Sequence, residues 1–163
     1  MLILLVRHGH AGSKAAWDGD DDVRPLNERG LAEAKALVDV VERFAPTRIV
    51  SSPLLRCVQT VEPLAGRLAV PVEVSERLVP GARKRVSAFL REIATDTTSP
   101  VAVCTHGEVI QVVQTAFPKR VSGAKTRTVR AKGSTWVLEY SGGRLRSARY
   151  LPAPRWSTGQ AAT

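Results

Sequence analysis

Five apolar residues run directly into an arginine, a histidine and a glycine in the stretch Leu2-Ile3-Leu4-Leu5-Val6-Arg7-His8-Gly9. The apolar residues do not alternate with polar ones, which is typical of a parallel strand buried on both faces. The run is too short for a membrane-spanning helix and lacks the basic lead-in of a signal peptide. We therefore predict a central strand over 2–6 that ends at Arg7 and His8, followed by a polar loop over 7–26.

Similar apolar runs return along the chain, with helical periodicity between them. Further strands are predicted at 48–51, 70–74 and 101–104, a hairpin at 135–140 and 144–151, and helices at 28–44, 52–68, 83–94 and 108–117. Strands and helices in alternation predict an α/β protein, a three-layer α/β/α sandwich with a mainly parallel central sheet.

Two of the helices have clear amino-terminal signals. Asn27 is suited to cap the first helix, whose apolar face is predicted to comprise Leu31, Ala34, Val38, Val41 and Phe44. Ser52 followed by Pro53 predicts that the second helix starts there, with the serine as its cap.

Polar residues of types that can take part in catalysis follow three of the predicted strands. His8 directly follows strand 2–6, and His106 follows strand 101–104 with one residue between them. Arg56 falls in the first turn of the helix after strand 48–51. Because ligands bind beyond the carboxyl ends of parallel strands, we expect these side chains to meet there with Arg7. Gly9 and Gly107, which follow the two histidines, allow close backbone approach to a ligand.

Two imidazoles and two guanidiniums in one cluster suit phosphoryl transfer. Guanidinium groups bind phosphoryl oxygens in a bidentate manner. A neutral imidazole is a competent nucleophile near neutral pH, and a second one can stabilise charge in the transition state. The residues therefore predict attack by one histidine on phosphorus, with water releasing phosphate afterwards.

The charge of the chain is uneven. Among its 163 residues, 24 Lys and Arg against 15 Asp and Glu give a net charge of +9. The segment 119–155 contains ten of the basic residues and one acidic residue, so the rest of the chain is neutral. Such a segment attracts anions of any kind, and we expect it to steer phosphorylated substrates.

Other charged and sulfur-containing residues are expected to have structural roles and not catalytic ones. Arg24, Arg77 and the run Arg83-Lys84-Arg85 are expected on the solvated surface. Cys57 and Cys104 are expected in or beside the core. Two cysteines cannot form a disulfide framework, which favours a reducing, cytoplasmic location.

Four motifs in order resemble the histidine phosphatase superfamily, which has the phosphoglycerate-mutase-like fold. They are Arg7-His8-Gly9, Arg24-Pro25-Leu26-Asn27-Glu28-Arg29-Gly30, Ser51-Ser52-Pro53-Leu54-Leu55-Arg56-Cys57-Val58-Gln59-Thr60 and Thr105-His106-Gly107. The resemblance implies a phosphatase domain over 1–151 with a tail over 152–163. It also implies that His8 accepts the phosphoryl group, that Arg7, Arg56 and His106 complete the pocket, and that no metal or organic cofactor takes part.

Within that family, the chain looks like the small bacterial phosphohistidine phosphatases of the SixA type. Leu78-Val79-Pro80-Gly81 leads directly into a helix, where larger relatives insert helices and a carboxylate general acid. Glu76 is out of register with that acid, which leaves Asp21 and Asp22 as auxiliary candidates. An imidazole leaving group needs less protonation than an alkoxide, so this resemblance implies phosphohistidine in a protein as the substrate.

A second resemblance implies a different substrate. Residues 8–30, with Ala11-Gly12-Ser13-Lys14 and Gly19-Asp20-Asp21, are similar to the phosphatase half of actinobacterial Nudix–phosphatase fusion proteins. That half is associated with nucleotides. The alternative substrate is therefore a nucleotide or another small phosphoester.

Two further classes of function compete with these. His8-Gly9-His10 has the spacing of a paired metal site, as in metal-dependent hydrolases, but only His106 remains as a third histidine. The segment 119–155 is basic enough for a nucleic-acid-binding module, with Trp136, Tyr140 and Tyr150 as aromatic residues, but it has no named binding motif. We expect a phosphorylated substrate as the partner, and neither a membrane nor a nucleic acid.

Overall fold

The computed structural model describes residues 1–119, 121–126 and 129–155, apart from the side chain of Arg83. Its strands are β1 (Leu2–Arg7), β2 (Arg48–Ser51), β3 (Val72–Val74), β4 (Val101–Thr105), β5 (Thr135–Ser141) and β6 (Arg144–Leu151). Its helices are α1 (Glu28–Val41), α2 (Leu55–Leu68), α3 (Arg83–Asp96) and α4 (Gly107–Gln114). Most of the predicted tail, residues 156–163, lies outside the described part of the chain.

All six strands form one sheet in the order β3-β2-β4-β1-β5-β6. The pairs β2–β3, β2–β4 and β1–β4 are parallel, whereas β5 joins β1 and β6 in an antiparallel manner. The predicted mainly parallel sheet with a terminal hairpin is confirmed.

Helices cover both faces of this sheet. On one face, α1 and α2 pack through Leu37, Val41, Val61 and Leu64 against Leu4 and Val6 of β1. On the other face, α3 and α4 bury their apolar residues with Ile3 and Leu5. Successive residues of β1 therefore enter opposite cores, which explains why its sequence does not alternate. The three-layer α/β/α architecture is confirmed.

The amino-terminal signals of the helices have different outcomes. The Asn27 side chain caps α1 by accepting a hydrogen bond from the backbone N–H of Gly30 at 2.9 Å, as predicted. Leu31 was expected on the buried face but is 45% exposed. The predicted cap at Ser52 is wrong, because α2 begins at Leu55 and the hydroxyl of Ser52 lies 2.9 Å from Nε2 of His106.

Strand register aligns the residues that lead into the candidate site. Arg7 pairs with Thr105 across β1 and β4, and Ser51 pairs with Cys104 across β2 and β4. The backbone N–H of His8 then donates to the Thr105 carbonyl at 3.1 Å. The residues that follow these three neighbouring strands thus lie at one edge of the sheet. Among the described residues, no helix is long and apolar enough to cross a membrane.

Candidate active site

The two histidines meet at that edge. The ring centroids of His8 and His106 are 5.2 Å apart, and the rings are inclined at 62° in an edge-to-face arrangement. Only 6% of His8 and 4% of His106 is exposed. Both imidazoles are therefore held in place by their surroundings and largely shielded from water.

The environment of His8 leaves one ring nitrogen available for chemistry. Its Nδ1 lies 2.8 Å from the carbonyl oxygen of Gly9. A carbonyl oxygen only accepts, so Nδ1 carries the proton and Nε2 presents a lone pair. Burial, together with the charges of Arg56 and Arg7, lowers the pKa of His8 to about 3. The imidazole is consequently neutral at physiological pH.

His106 is oriented by one group that precedes α2 and by another in the first turn of α2. Its Nε2 is hydrogen-bonded with Oγ of Ser52 at 2.9 Å and lies 3.4 Å from Sγ of Cys57. Burial and the neighbouring His8 and Arg56 lower the pKa of His106 to about 3. As predicted, Cys57 is buried, and so is Cys104.

Arg7 is half-buried, with its guanidinium against the start of α4. Its Nη1 donates to the carbonyl oxygen of Arg130 at 2.5 Å, and its Nε has no hydrogen-bond partner among the described residues. A Cβ on Gly107 would lie 2.8 Å from Cζ of Arg7. A side chain at this position would therefore displace the guanidinium of Arg7. Burial lowers the pKa of Arg7.

Arg56 is held by the loop between β1 and α1. It is 3% exposed, and its Nη1 and Nη2 donate to the carbonyl and carboxylate oxygens of Asp21 at 2.7 and 3.1 Å. Nε of Arg56 is buried without a partner among the described residues. Although burial opposes the effect, the hydrogen bond from Arg24 and the charge of Arg56 lower the pKa of Asp21. Asp21 is thus an acceptor rather than a ready proton donor.

Arg24 belongs to this site, and the prediction that it lies on the solvated surface is wrong. It is 7% exposed, and it donates to the Ala11 carbonyl at 2.6 Å and to Oδ1 of Asp21 at 2.8 Å. The sequence signal was its place at the start of the motif 24–30, three residues after an acid. Arg77, grouped with it, does lie partly exposed and pairs with Glu92.

The backbone after His8 is tied to α1 and α2. The N–H of Gly9 donates to Oγ1 of Thr60 at 3.0 Å, and that hydroxyl donates to the Arg56 carbonyl at 2.6 Å. A Cβ on Gly9 would lie 3.1 Å from the Gly30 carbonyl oxygen. Gly9 and Thr60 therefore position the loop and the helix relative to each other.

A cleft of about 390 Å³ opens onto these groups. Of the predicted site residues, Arg7, His8, Asp21, Arg56, His106 and Gly107 line it. Asp22 instead lines an adjoining cavity of about 490 Å³, together with Glu76. The cleft also includes Glu108 and Lys132, which the sequence analysis did not single out.

The paired-histidine arrangement expected of a metal site does not form around His10. Its Nδ1 lies 2.6 and 2.8 Å from the carboxylate oxygens of Glu33, which also accepts a hydrogen bond from Arg29 at 3.0 Å. Within the described part of the chain, no group of three or more His, Cys, Asp or Glu side chains is placed to hold a metal ion.

The aromatic residues of the basic segment are not available to stack on bases. Trp136 is fully buried, and its ring packs against those of Phe117 and Tyr150 at centroid distances of 4.7 and 5.1 Å. Tyr140 is buried as well. These residues belong to the core, which removes the aromatic support for a nucleic-acid-binding module.

The arrangement has the chemistry that binding of a phosphoryl group requires. Two guanidiniums supply positive, planar donors, and a neutral imidazole beside them carries an unshared electron pair. Comparison with known proteins points the same way. Residues 3–80 match the model of the histidine phosphatase superfamily (branch 1).

Two curated relatives are similar to the chain. It is 38% identical over 156 residues to the 8-oxo-(d)GTP phosphatase of Mycolicibacterium smegmatis, covering 93% of this chain and 48% of that protein. The chain thus spans about half of the length of that relative. It is 32% identical over 111 residues to the phosphohistidine phosphatase SixA of Escherichia coli, covering 65% of this chain and 67% of that protein.

The fold also matches solved structures. The structure of the protein histidine phosphatase SixA complexed with tungstate superposes with a TM-score of 0.73 and 27% sequence identity, covering 90% of this chain and 93% of that one. The chain belongs to the histidine phosphatase superfamily, and it has the phosphoglycerate-mutase-like fold that the sequence motifs imply.

Proposed function

We propose that this chain is a phosphatase domain that works through a covalent phosphohistidine at His8. Nε2 of His8 attacks phosphorus, the bond from phosphorus to the leaving group breaks, and the leaving group departs with the bonding pair and takes up a proton. Water then cleaves the phosphorus–nitrogen bond, which releases inorganic phosphate and restores the neutral imidazole. The observation that carries this proposal is the neutral, oriented His8 ring beside His106 in a cleft lined by the guanidiniums of Arg7 and Arg56.

The surrounding groups support a phosphoryl-binding role. Nε of Arg7 and Nε of Arg56 are buried donors without a partner among the described residues. An unsatisfied buried donor on a charged group costs free energy, and an oxyanion bound in the cleft offers the acceptors that these donors lack. His106, fixed by Ser52, is placed to stabilise charge that develops on the phosphoryl oxygens.

Asp21 fits a positioning role in this reaction. Its carboxylate accepts hydrogen bonds from both Arg24 and Arg56 and lies 3.5 Å from Nζ of Lys14. Since these cations favour the ionised form, Asp21 orients Arg56 and does not protonate the leaving group. Asp22, in the adjoining cavity, is a candidate for contact with an uncharged part of the substrate.

Trapping of the intermediate tests the role of His8. Reactions with a ³²P-labelled substrate, quenched with detergent at alkaline pH, should give an acid-labile, alkali-stable phosphoprotein with the wild type and none with His8→Ala. His10→Gln is the matched control, because His10 lies two residues away and contacts Glu33 instead of lining the cleft. Wild-type turnover by His8→Ala would refute the proposed nucleophile.

For the substrate, we propose a nucleotide or a related small phosphate compound ahead of phosphohistidine in a protein. The relative named as an 8-oxo-(d)GTP phosphatase is more identical to this chain than the SixA protein is, and its match covers a larger share of this chain. Phosphohistidine remains the second candidate, supported by the SixA relative and by the structural match. Kinetics with nucleotides, a sugar phosphate and a phosphohistidine protein would separate the two. A kcat/KM highest for the phosphohistidine protein would reverse our order.

A further inference from the structure

The segment 130–134, just before β5, is attached to the strand that carries His8. The N–H of Gly133 donates to the carbonyl oxygens of Arg7 and His8 at 3.1 and 3.3 Å, and the N–H of Arg7 donates to the Ser134 carbonyl at 2.9 Å. The Arg7 guanidinium also bonds the carbonyl of Arg130 at 2.5 Å. Lys132 lies between these anchors, so its backbone position is fixed relative to the nucleophile.

The Lys132 side chain brings a positive charge to the cleft, and the nearby Glu33 carboxylate offsets part of that charge without forming an ion pair with it. It is half-buried and lines the cleft together with Arg7, His8 and Arg24. Arg24, Arg56 and Lys14 all lie within ion-pair distance of Asp21. Lys132, by contrast, has no hydrogen bond or ion pair to any described residue. Its positive charge is close enough to contribute to the low pKa of His8.

Charge is distributed asymmetrically around the phosphoryl site. The adjoining cavity carries Lys14 and the carboxylates of Asp21, Asp22 and Glu76, and Asp21 is already paired with Arg24, Arg56 and Lys14. Lys132 lines the cleft outside that cavity, as does Glu108. A leaving group with a negative charge of its own is repelled by Asp22 and Glu76 and attracted by the ammonium group of Lys132. Such a leaving group therefore extends towards Lys132.

We propose that Lys132 binds a second anionic group of the substrate, one directly next to the phosphoryl group that is removed. This inference rests on the proposed function and narrows its substrate class to phosphoanhydrides, such as nucleoside di- or triphosphates. In that reaction the bond between the terminal phosphorus and the bridging oxygen breaks. The departing phosphate ester keeps the bridging oxygen, and its non-bridging oxygens accept hydrogen bonds from the Lys132 ammonium group.

The test compares one nucleoside as its monophosphate and as its diphosphate. Lys132→Met keeps the length of the side chain but removes its charge. We expect its KM for the diphosphate to rise about tenfold, the size of one charge-assisted hydrogen bond, and its KM for the monophosphate to change less than about twofold. We expect kcat to stay similar for both, and Lys132→Arg to restore most of the diphosphate KM.

Lys35→Met is the matched control. It removes the same charge, but Lys35 is exposed on α1 and lines neither the cleft nor the adjoining cavity. We expect it to change both KM values by less than about twofold, which separates a contact in the cleft from the net charge of the chain. Thermal unfolding of every variant confirms that the proteins are folded.

The outcomes separate this inference from the proposed function. Equal KM increases for both nucleotides would show that Lys132 has no second anionic group to bind, and a fall in kcat at constant KM would assign it to proton transfer. Wild-type activity on monophosphates but not on diphosphates would also overturn the inference while leaving the phosphatase proposal intact. Absence of any His8-dependent phosphate release would overturn both.

Discussion

Gly30 in α1 lies directly against the backbone of His10, and a Cβ at position 30 would be 2.0 Å from the His10 carbonyl oxygen. The same carbonyl accepts a hydrogen bond from the N–H of Asn27 at 3.0 Å. The start of α1 and the loop that follows His8 thus share one contact. This contact explains why the motif 24–30 ends in glycine.

Substitution of Gly30 should therefore damage both stability and the site. We expect Gly30→Ala to lower the free energy of unfolding by about 1–3 kcal/mol, because the methyl group overlaps a backbone atom that cannot rotate away. Displacement of His10 also moves Gly9, whose carbonyl holds Nδ1 of His8, so kcat should fall. Urea denaturation and steady-state kinetics measure the two effects.

Gly66 provides the control for this substitution. It lies inside α2 with nothing within 4 Å of a Cβ at that position. Gly66→Ala should stabilise the protein by about 0.5–1 kcal/mol, because alanine loses less backbone entropy in a helix. Equal effects of the two substitutions would contradict the packing argument at Gly30.

The buried histidines predict a loss of stability in mild acid. The pKa values of His8 and His106 are lowered to about 3, whereas an unfolded histidine titrates near 6.5. Below pH 6.5 the unfolded chain therefore binds protons that the folded chain does not, and the free energy of unfolding falls. Each imidazole contributes about 1.4 kcal/mol per pH unit in this window.

Urea denaturation at pH 7 and pH 5.5 in phosphate-free buffer measures this dependence. The wild type should lose stability between the two values, and His106→Gln should lose less because one of the two imidazoles is gone. Carboxylates with lowered pKa values, such as Asp21, affect stability only at lower pH. The same pH slope for wild type and variant would show that His106 does not contribute.

Arg24 and Arg77 form a matched pair for testing what burial does to an arginine. Arg24→Met removes the donors to the Ala11 carbonyl and to Asp21, so we expect a loss of about 1–3 kcal/mol in unfolding free energy. Without Arg24, the carboxylate of Asp21 is left to Arg56 and Lys14, and it should compete more strongly with a bound oxyanion. Vanadate affinity, measured by calorimetry, should fall several-fold.

Arg77→Met is expected to change neither property much, since its ion pair with Glu92 is on the surface. Vanadate affinity that is equal in Arg24→Met and wild type would exclude Arg24 from the oxyanion site.

The sequence predicts the parts of this molecule that depend on local pattern. The apolar run of β1, the Asn27 cap and the positions after the parallel strands follow from periodicity, capping and topology. The partner of Ser52 does not, because His106 is distant in sequence. The burial of Arg24 does not either, because it depends on how the loop before α1 folds around its guanidinium. Ser52 has the right residue type and neighbour for a helix cap, but the packing of β4 against β2 brings His106 within hydrogen-bond distance of its hydroxyl.

The position of Lys132 in the cleft could not be predicted from the sequence either. In the sequence it is one basic residue among ten in the segment 119–155. The hydrogen bonds that join Arg7 and His8 to the backbone of the segment 130–134 place it beside the nucleophile. Composition therefore shows which segment carries the positive charge of the chain. Strand pairing determines which basic residue of that segment lies at the cleft.

The distribution of that charge leads to a last prediction. Arg144 pairs with Ser141 at the hairpin turn, and Leu151 pairs with Thr135 at the other end of β6, next to the last residues of β1. At about 3.3 Å per residue, Arg144 is therefore more than 20 Å along the sheet from the catalytic edge. Arg144 and Arg146 are exposed but too far away to contact a substrate in the cleft.

We expect the double variant Arg144→Ala/Arg146→Ala to have a KM for a nucleoside diphosphate within about twofold of wild type at 0.15 M salt, where the screening length is about 8 Å. At 0.01 M salt that length grows to about 30 Å, so the same variant should then show a clear rise in KM, unlike its behaviour at 0.15 M. Lys132→Met should raise KM at both salt concentrations, because a buried contact is screened much less. A several-fold rise for the double variant at 0.15 M salt would mean that the hairpin arginines bind the substrate directly, against the strand register.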